Sequence, residues 1–418
     1  LYLFSNIGGR EIFDQKSIII TMPKVLRILN RLIIGGPLLN ASYLTKYLAP
    51  EFETLLVVGE KESHEQDASF ITDELGIKPL YLPQMGRSIN PMRDYSAFRR
   101  MKDIIRDFKP DIVHTHAAKP GAIGRMAAYQ LKVPVIVHTY HGHVFHSYFN
   151  SSKTKLILSA ERYLAKKTDA IIAISNAQQK ELTGDFKIAP AEKFRMIPLG
   201  LDLDKFSQDY AAKRKKFRDE FSVAADEIVI AIIGRLVPVK NHDLFLEGLK
   251  HVLSNTTRKV RAFIVGDGET RQALEAKAKG MGILFTGEKD TNHPHPLVFT
   301  SWRSDVDVIN AGADIIALTS FNEGTPVSLI EAQAANNPIV STSVGGISDV
   351  VLEGKSGLLS PVSDIQQFCI NLLELVTNDE LRTSLSKQGN AFVKEQFSYQ
   401  RLMKDMSSLY HELLANKK

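Results

Sequence analysis

Cysteine is nearly missing from this sequence: Cys369 stands alone among 418 residues. That excludes a disulfide within the chain and any cysteine-built zinc or iron–sulfur centre, and it suits a reducing, cytoplasmic setting. Long apolar runs are missing too. The most hydrophobic stretches, such as Ile171–Ile174 and Ile228–Ile233, have the length of a strand, whereas crossing a bilayer as a helix takes roughly 20 residues. No transmembrane helix is expected. A secretory leader is not expected either, because Ile18–Ile20 is too short an apolar core and no small-residue cleavage pattern follows it. Met22-Pro23-Lys24 resembles a natural start, so the polar segment before Met22 is a candidate extension. Short repeats and low-complexity tracts are absent, and the basic residues are dispersed without interleaved aromatics, which argues against a nucleic-acid partner.

What is present is an ordinary globular composition, 44% apolar and 24% charged. The length exceeds one core and suits two domains of roughly 200 residues each. Charge is uneven: residues 1–200 carry eight more basic than acidic side chains, and the remainder three more acidic than basic. A basic first half suits an anionic membrane surface or a phosphate-bearing acceptor, although solvated helix faces give the same balance.

From Lys24 onward, short β-branched runs alternate with amphipathic or Ala-rich segments, the pattern of parallel βα units. Strands are expected at Leu26–Ile34, Thr54–Val58, Asp111–Thr115, Val133–Thr139, Ala170–Ala173 and Phe194–Ile197. In the second half they are expected at Ile228–Ile233, Arg261–Val265, Leu284–Thr286, Ile315–Leu318 and Ile339–Thr342. The fold class is α/β, with two Rossmann-like doubly wound parallel-sheet domains facing a cleft. Domain one is placed at 22–205 and domain two at 206–397, with a helical 398–418 that could cross back onto domain one. The boundary rests on the turn-rich Pro198–Asp202 and the charged run Lys213–Lys216. Residues 289–296, with two prolines and two histidines, suggest a surface insertion.

The strongest local signal is Phe321-Asn322-Glu323-Gly324-Thr325-Pro326-Val327-Ser328-Leu329-Ile330-Glu331, directly after an apolar strand. Glu323 falls in a strand-to-helix loop and Glu331 in the helix. Gly324 admits close backbone approach, and the amides of a helix start suit a phosphate. Two carboxylates so spaced can accept sugar and ribose hydroxyls on either side of that phosphate; a capping Glu323 and a solvent-facing Glu331 are the plainer alternative. Gly234-Arg235-Leu236-Val237-Pro238-Val239-Lys240 follows the first strand of domain two and places two cations where a diphosphate leaving group needs them. Gly35-Gly36-Pro37 offers backbone amides after the first strand of domain one, without the six-position dinucleotide fingerprint. Gly266-Asp267-Gly268-Glu269 suits a turn with Asp267 near the cleft. His114, His116, His138, His141, His143 and His146 crowd two strand ends. No cysteine or carboxylate sits among them, which argues against a metal, and His141 before Gly142 is the best placed to face the cleft.

Taken together, these residues resemble the retaining GT-B glycosyltransferases, in the group that includes glycogen and sucrose synthases, over nearly the whole chain from about Met22. The most specific element is the Glu-x7-Glu pair, Glu323 and Glu331. The resemblance implies that Arg235 and Lys240 clamp the donor diphosphate, Glu331 holds the ribose and Glu323 holds donor sugar hydroxyls. It further implies that Gly324, Thr325 and Pro326 bring backbone to the phosphate, and that His141, in His-Thr-Tyr-His-Gly, lies beside the donor sugar. Gly36 matches the phosphate-contacting loop glycine, although Pro37 after it is not the commonest family choice. Trp302 and Arg303 occupy the stretch that reads the nucleobase through main-chain groups. Implied as well are a nucleoside-diphosphate sugar donor, most simply a UDP-sugar, no metal or other cofactor, and a saccharide or lipid-linked acceptor. The setting would be cytoplasmic, with peripheral membrane contact through domain one at segments such as Arg93–Arg106 and Lys153–Lys167. Two rivals share the fold: a non-hydrolysing sugar-nucleotide 2-epimerase, for which no acid/base set can be assembled, and a non-catalytic nucleotide-sugar-binding protein.

Overall fold

Buried β-branched strands flanked by helices build two parallel sheets in the computed structural model, which describes residues 22–33, 35–62, 65, 67–86, 88–142, 151–287 and 295–417. The first sheet region runs β1 Lys24–Leu29, α1 Gly36–Tyr47, β2 Glu53–Gly59, α2 Ser69–Glu74, β3 Leu80–Leu82, α3 Pro91–Phe108, β4 Ile112–His116, α4 Ala118–Gln130, β5 Val135–Tyr140, α5 Ser151–Lys166, β6 Ala170–Ala173, α6 Asn176–Lys180 and β7 Phe194–Met196. The second runs α7 Tyr210–Glu220, β8 Ile228–Ile233, α8 His242–Asn255, β9 Val260–Val265, α9 Arg271–Gly280, β10 Phe285–Thr286, β11 Leu297–Ser301, α10 Val306–Gly312, β12 Ile315–Leu318, α11 Val327–Ala334, β13 Ile339–Thr342 and β14 Gly357–Ser360. Helices α12 Ile365–Thr377, α13 Asp379–Phe397 and α14 Tyr399–Ala415 close the chain.

Strand order is β3-β2-β1-β4-β5-β6-β7 in one sheet and β10-β11-β9-β8-β12-β13-β14 in the other. Each order reverses beside its first strand, between β1 and β4 and between β8 and β12. At such switch points the connections leave toward opposite faces and open a crevice beyond the carboxyl ends of the strands. Topology alone therefore selects the loops after β1, β4, β8 and β12 as the walls of a site.

Local chemistry sets the helix limits. Asn90 caps α3 by accepting from the Arg93 amide at 3.1 Å, with Pro91 supplying a pre-set first turn. Asp364, Asn378 and Ser398 cap α12, α13 and α14 in the same way.

The chain crosses between the lobes twice. At the crossings the Leu201 amide donates to the Phe397 carbonyl at 2.8 Å, and the Tyr399 amide donates to the Leu201 carbonyl at 3.0 Å. A Cβ on Gly200 would lie 2.4 Å from that of Leu402, so the two crossings are pressed together. After the second crossing, α14 packs on the first sheet, burying Leu402, Met406, Leu409, Tyr410 and Leu413 against Val25, Ile112, Val137 and Ile172.

Several elements depart from the sequence expectation. The charged run Lys213–Lys216 falls in the middle of α7, a helix not expected there, which buries Phe217 and ties Arg214 and Arg218 to Asp314. Strands β3, β11 and β14 were not expected; each is three to five residues long, too short for an alternation to register. The first strand stops at Leu29, before the apolar Ile33. The segments before Met22, the core of the 289–296 insertion, His143 and His146 lie outside the described residues.

Candidate active site

Beyond β12, which is buried throughout, the chain turns at Thr319 and enters the loop that carries Glu323. The loop is pinned to its neighbour after β8: the Phe321 amide donates to the Val239 carbonyl at 2.8 Å, and the Thr319 hydroxyl donates to the Lys240 carbonyl at 3.0 Å. This brings the Lys240 ammonium within 2.6 Å of Glu323 Oε1, which also accepts from the Ser320 hydroxyl. Two loops far apart in sequence thus meet as one charged centre.

From below, the loop rests on glycines. A Cβ at Gly345, whose φ is +52°, would lie 2.0 Å from the Glu323 carbonyl, and one at Gly346 would lie 1.7 Å from the Gly324 carbonyl. Neither approach tolerates a side chain. In the same way Gly266 lies under the loop after β8, where a Cβ would come 2.0 Å from the Gly234 carbonyl. Arg235 is exposed in that loop, and Trp302 is 40% exposed beyond β11.

Helix α11 begins at Val327 with no side chain capping it, and α1 begins at Gly36 likewise uncapped. The two starts face one another across the lobes, since a Cβ on Gly36 would lie 3.7 Å from Val327 Cγ2. Uncapped first-turn amides leave donors and positive dipole ends pointing into one space. The buried Thr325 hydroxyl beside them has no hydrogen-bond partner. His141 approaches from domain one: its carbonyl lies 3.5 Å from where a Gly324 Cβ would stand. The lobes also meet where Asp349 accepts from the Ala177 amide at 3.3 Å.

Glu331 sits in the middle of α11, half-buried. Burial pushes its carboxyl up to about 7, with Lys205 opposing and Asp307 adding to the rise. Tyr43 of α1 responds to both Asp202 and Glu331, so this carboxyl borders the first lobe. Arg303 is committed elsewhere: it forms bidentate pairs with Glu220 and Asp305, leaving only its main chain for a ligand. Asp267 is likewise held, by the Ser301 hydroxyl at 2.6 Å and by Arg271.

Histidines 114, 116 and 141 form a row. His116 Nδ1 and His141 Nε2 are 2.8 Å apart, and the rings of His114 and His116 lie 4.3 Å centroid to centroid. Burial drives His141 down to about 3. His138 points to the other sheet face, where its Nδ1 meets Thr115 at 2.8 Å. Sequence reasoning missed His242, which follows the cationic loop. It is 2% exposed with neither ring nitrogen hydrogen-bonded, and burial, then the Lys240 charge, lower it to about 4. Its signal, a histidine two residues after the site lysine, was available.

A cationic loop, paired carboxyls and opposed helix starts at the switch points of two doubly wound sheets define a GT-B glycosyltransferase. The chain belongs to that family: residues 41–205 match the Glycosyltransferase Family 4 domain and residues 213–392 match Glycosyl transferases group 1. It is similar to the UDP-Gal:alpha-D-GlcNAc-diphosphoundecaprenol alpha-1,3-galactosyltransferase of Escherichia coli, 29% identical over 83% of this chain and 87% of that one. A D-inositol 3-phosphate glycosyltransferase of Saccharomonospora viridis is 26% identical over 73% and 70%. In fold, it resembles Anabaena HepE in complex with UDP and glucose, with a TM-score of 0.76 and 17% identity, covering 93% of this chain and 100% of that one. Sucrose-phosphate synthase from Thermosynechococcus elongatus gives 0.73 at 18% identity, covering 94% and 100%.

Proposed function

We propose that the protein transfers a hexosyl group from a UDP-sugar, with retention at the anomeric carbon, to a saccharide carried on a lipid diphosphate in cell-surface glycan assembly. The observation that carries this reading is the convergence of Lys240 and Glu323 at 2.6 Å beside the uncapped start of α11. Lys240 and Arg235 neutralise the departing diphosphate, and the amides around Gly324, Thr325 and Pro326 donate to it. Gly36 brings the start of α1 to the same phosphates. Glu331 accepts the ribose hydroxyls, Glu323 accepts sugar hydroxyls, and His141 lies beside the sugar. The main chain at Trp302 and Arg303 meets the base. Closing the lobes removes water that would hydrolyse the donor.

The UDP-sugar donor is supported by the galactosyltransferase relative, whose name specifies UDP-Gal, and by HepE, described in complex with UDP and glucose. The lipid-linked acceptor is supported by the same relative, named for a diphosphoundecaprenol-linked sugar. Among the described residues no helix is long and apolar enough to cross a membrane. The chain reaches its lipid acceptor peripherally, at the cytoplasmic face, through the start of α3. There Ile89 (78% exposed), Met92 (83%) and Tyr95 (64%) stand beside the exposed Arg99 and Arg100, apolar anchors next to cations that suit anionic headgroups. Calorimetric titration with UDP, GDP and ADP, followed by transfer of labelled sugar from the matching donor to an undecaprenyl diphosphate-linked acceptor, tests the reading. Binding of none of the three nucleotides would overturn it.

A further inference from the structure

The first sheet buries an arginine that its packing does not require. Arg27 lies in β1 opposite His114 of β4 in the strand register, and it is fully buried. Its Nη1 donates to His114 Nδ1 at 2.9 Å and to the Tyr410 hydroxyl at 3.1 Å, and its Nε donates to Thr45 at 3.2 Å. Among the described residues it forms no ion pair, and its Nη2 has no partner. Burying an uncompensated cation costs several kcal/mol, so its retention calls for a use.

The hydrogen bonds show that use. A guanidinium only donates, so His114 Nδ1 must accept and carry no proton. The Tyr410 hydroxyl, 2.6 Å away, donates to the same nitrogen while accepting from Arg27. The ring proton is thereby confined to Nε2, where it is donated to Thr139 Oγ1 at 2.7 Å. His116 packs against this fixed ring at a tilt of 34°, stacks on His141 and meets it at 2.8 Å, leaving His141 Nδ1 and His116 Nε2 buried with no partner among the described residues.

We propose that Arg27 and Tyr410 are positioning residues: they fix the ring and proton of His114 and, through the His116 ring packed against it, hold the His141 ring in place beside the donor sugar. The proposal rests on the reading of His141 as the sugar-facing group. Among the described residues, the surroundings offer no free carboxylate to hold a second proton. Arg27 faces the row from β1, Thr45 from α1, Thr139 from β5 and Tyr410 from α14; His138 and Arg125 lie on the opposite face. Nearby carboxylates are already engaged, Glu161 by Arg125 and Tyr140, and Glu323 by Lys240 across the cleft. Burial, and then the Arg27 charge, hold His114 and, with its neighbouring histidines, His116 well below the ordinary histidine range. Tyr410 belongs to the last helix, so the network is complete only when α14 has docked on the first lobe.

The test uses the full chain, labelled with ¹⁵N-histidine, and follows imidazole resonances and turnover between about pH 5.5 and 8.5, the window in which an ordinary histidine titrates. In the unaltered protein, His114 is expected to keep one tautomer, His116 and His141 to stay neutral, and kcat to show no histidine limb. Tyr410→Phe should lower kcat roughly tenfold, a barrier change of about 1.4 kcal/mol, with donor KM within about twofold. Arg27→Met removes a donor to His114 Nδ1 and should abolish the single-tautomer signature of His114 and lower kcat roughly tenfold, while burial keeps the row neutral across the window; Arg27→Lys, which restores a donor, should recover part of both. Titration of His116 or His141 near the ordinary value in the unaltered protein overturns the proposal, as does an unchanged His114 tautomer with unchanged kcat in folded Arg27→Met. Unchanged turnover in His141→Gln would instead overturn the sugar-facing reading of His141, while the resonances still decide whether Arg27 and Tyr410 set the row.

Discussion

Lys240 donates to Glu323 at 2.6 Å across 83 residues of chain, so the group proposed to meet phosphate and the group proposed to meet sugar share one hydrogen bond. Lys240→Ala removes a charge-assisted contact worth about 1.5–3 kcal/mol and should weaken UDP binding roughly 10- to 100-fold. Calorimetry with UDP checks this. Glu323→Ala should spare UDP binding and lower kcat, because its proposed contact is with the sugar rather than the nucleotide.

Glu331 titrates in a useful range. Its carboxyl sits at about 7 because burial disfavours the charge, whereas an unfolded glutamate ionises near ~4.3. Hydroxyls need the ionised form as acceptor, so UDP affinity should rise as pH increases through about 7 and then level. Stability runs the other way: between these two values the folded state binds the extra proton, and ionisation costs stability as pH rises toward 7. Glu331→Gln should lose roughly tenfold in UDP affinity at pH 8, flatten the pH dependence and raise the Tm there.

Gly346 lies against the backbone of the Glu323 loop, where a Cβ would stand 1.7 Å from the Gly324 carbonyl. Gly346→Ala should displace that loop, costing about 1–3 kcal/mol in stability by overpacking and donor affinity with it. A thermal melt and a UDP titration measured together check both losses.

Met92 and Tyr95 project from the first turns of α3 without partners in the core. Met92→Glu combined with Tyr95→Glu should reduce binding to anionic vesicles at low salt by roughly tenfold or more, given the lost apolar insertion and the added like charge. Transfer to a short water-soluble acceptor should be unaffected. Vesicle sedimentation separates the outcomes, and equal binding by the unaltered and doubly substituted proteins would reject the surface.

Much of the layout was legible in the sequence because parallel strands are buried on both faces and stand out as apolar runs: Ala170–Ala173, Ile228–Ile233, Ile315–Leu318 and Ile339–Thr342 fall where the composition places them. Helix α7 was not legible, since its basic residues gain their meaning only from Asp314, about 100 residues on. Glu323 and Lys240 could be named from their loops, but their mutual hydrogen bond could not. Arg27 gave no signal at all, because a single arginine in an apolar strand acquires its role only when β4 and the last helix arrive beside it.

The paired crossings at Leu201 and Ser398 leave the molecule with a spine. One covalent tether would let the lobes swivel in any direction, whereas two strands bonded side by side resist twist and shear and permit bending about a single axis. Any opening and shutting of the lobes would then retrace one arc, each return bringing the start of α1 back over the start of α11 in the same alignment.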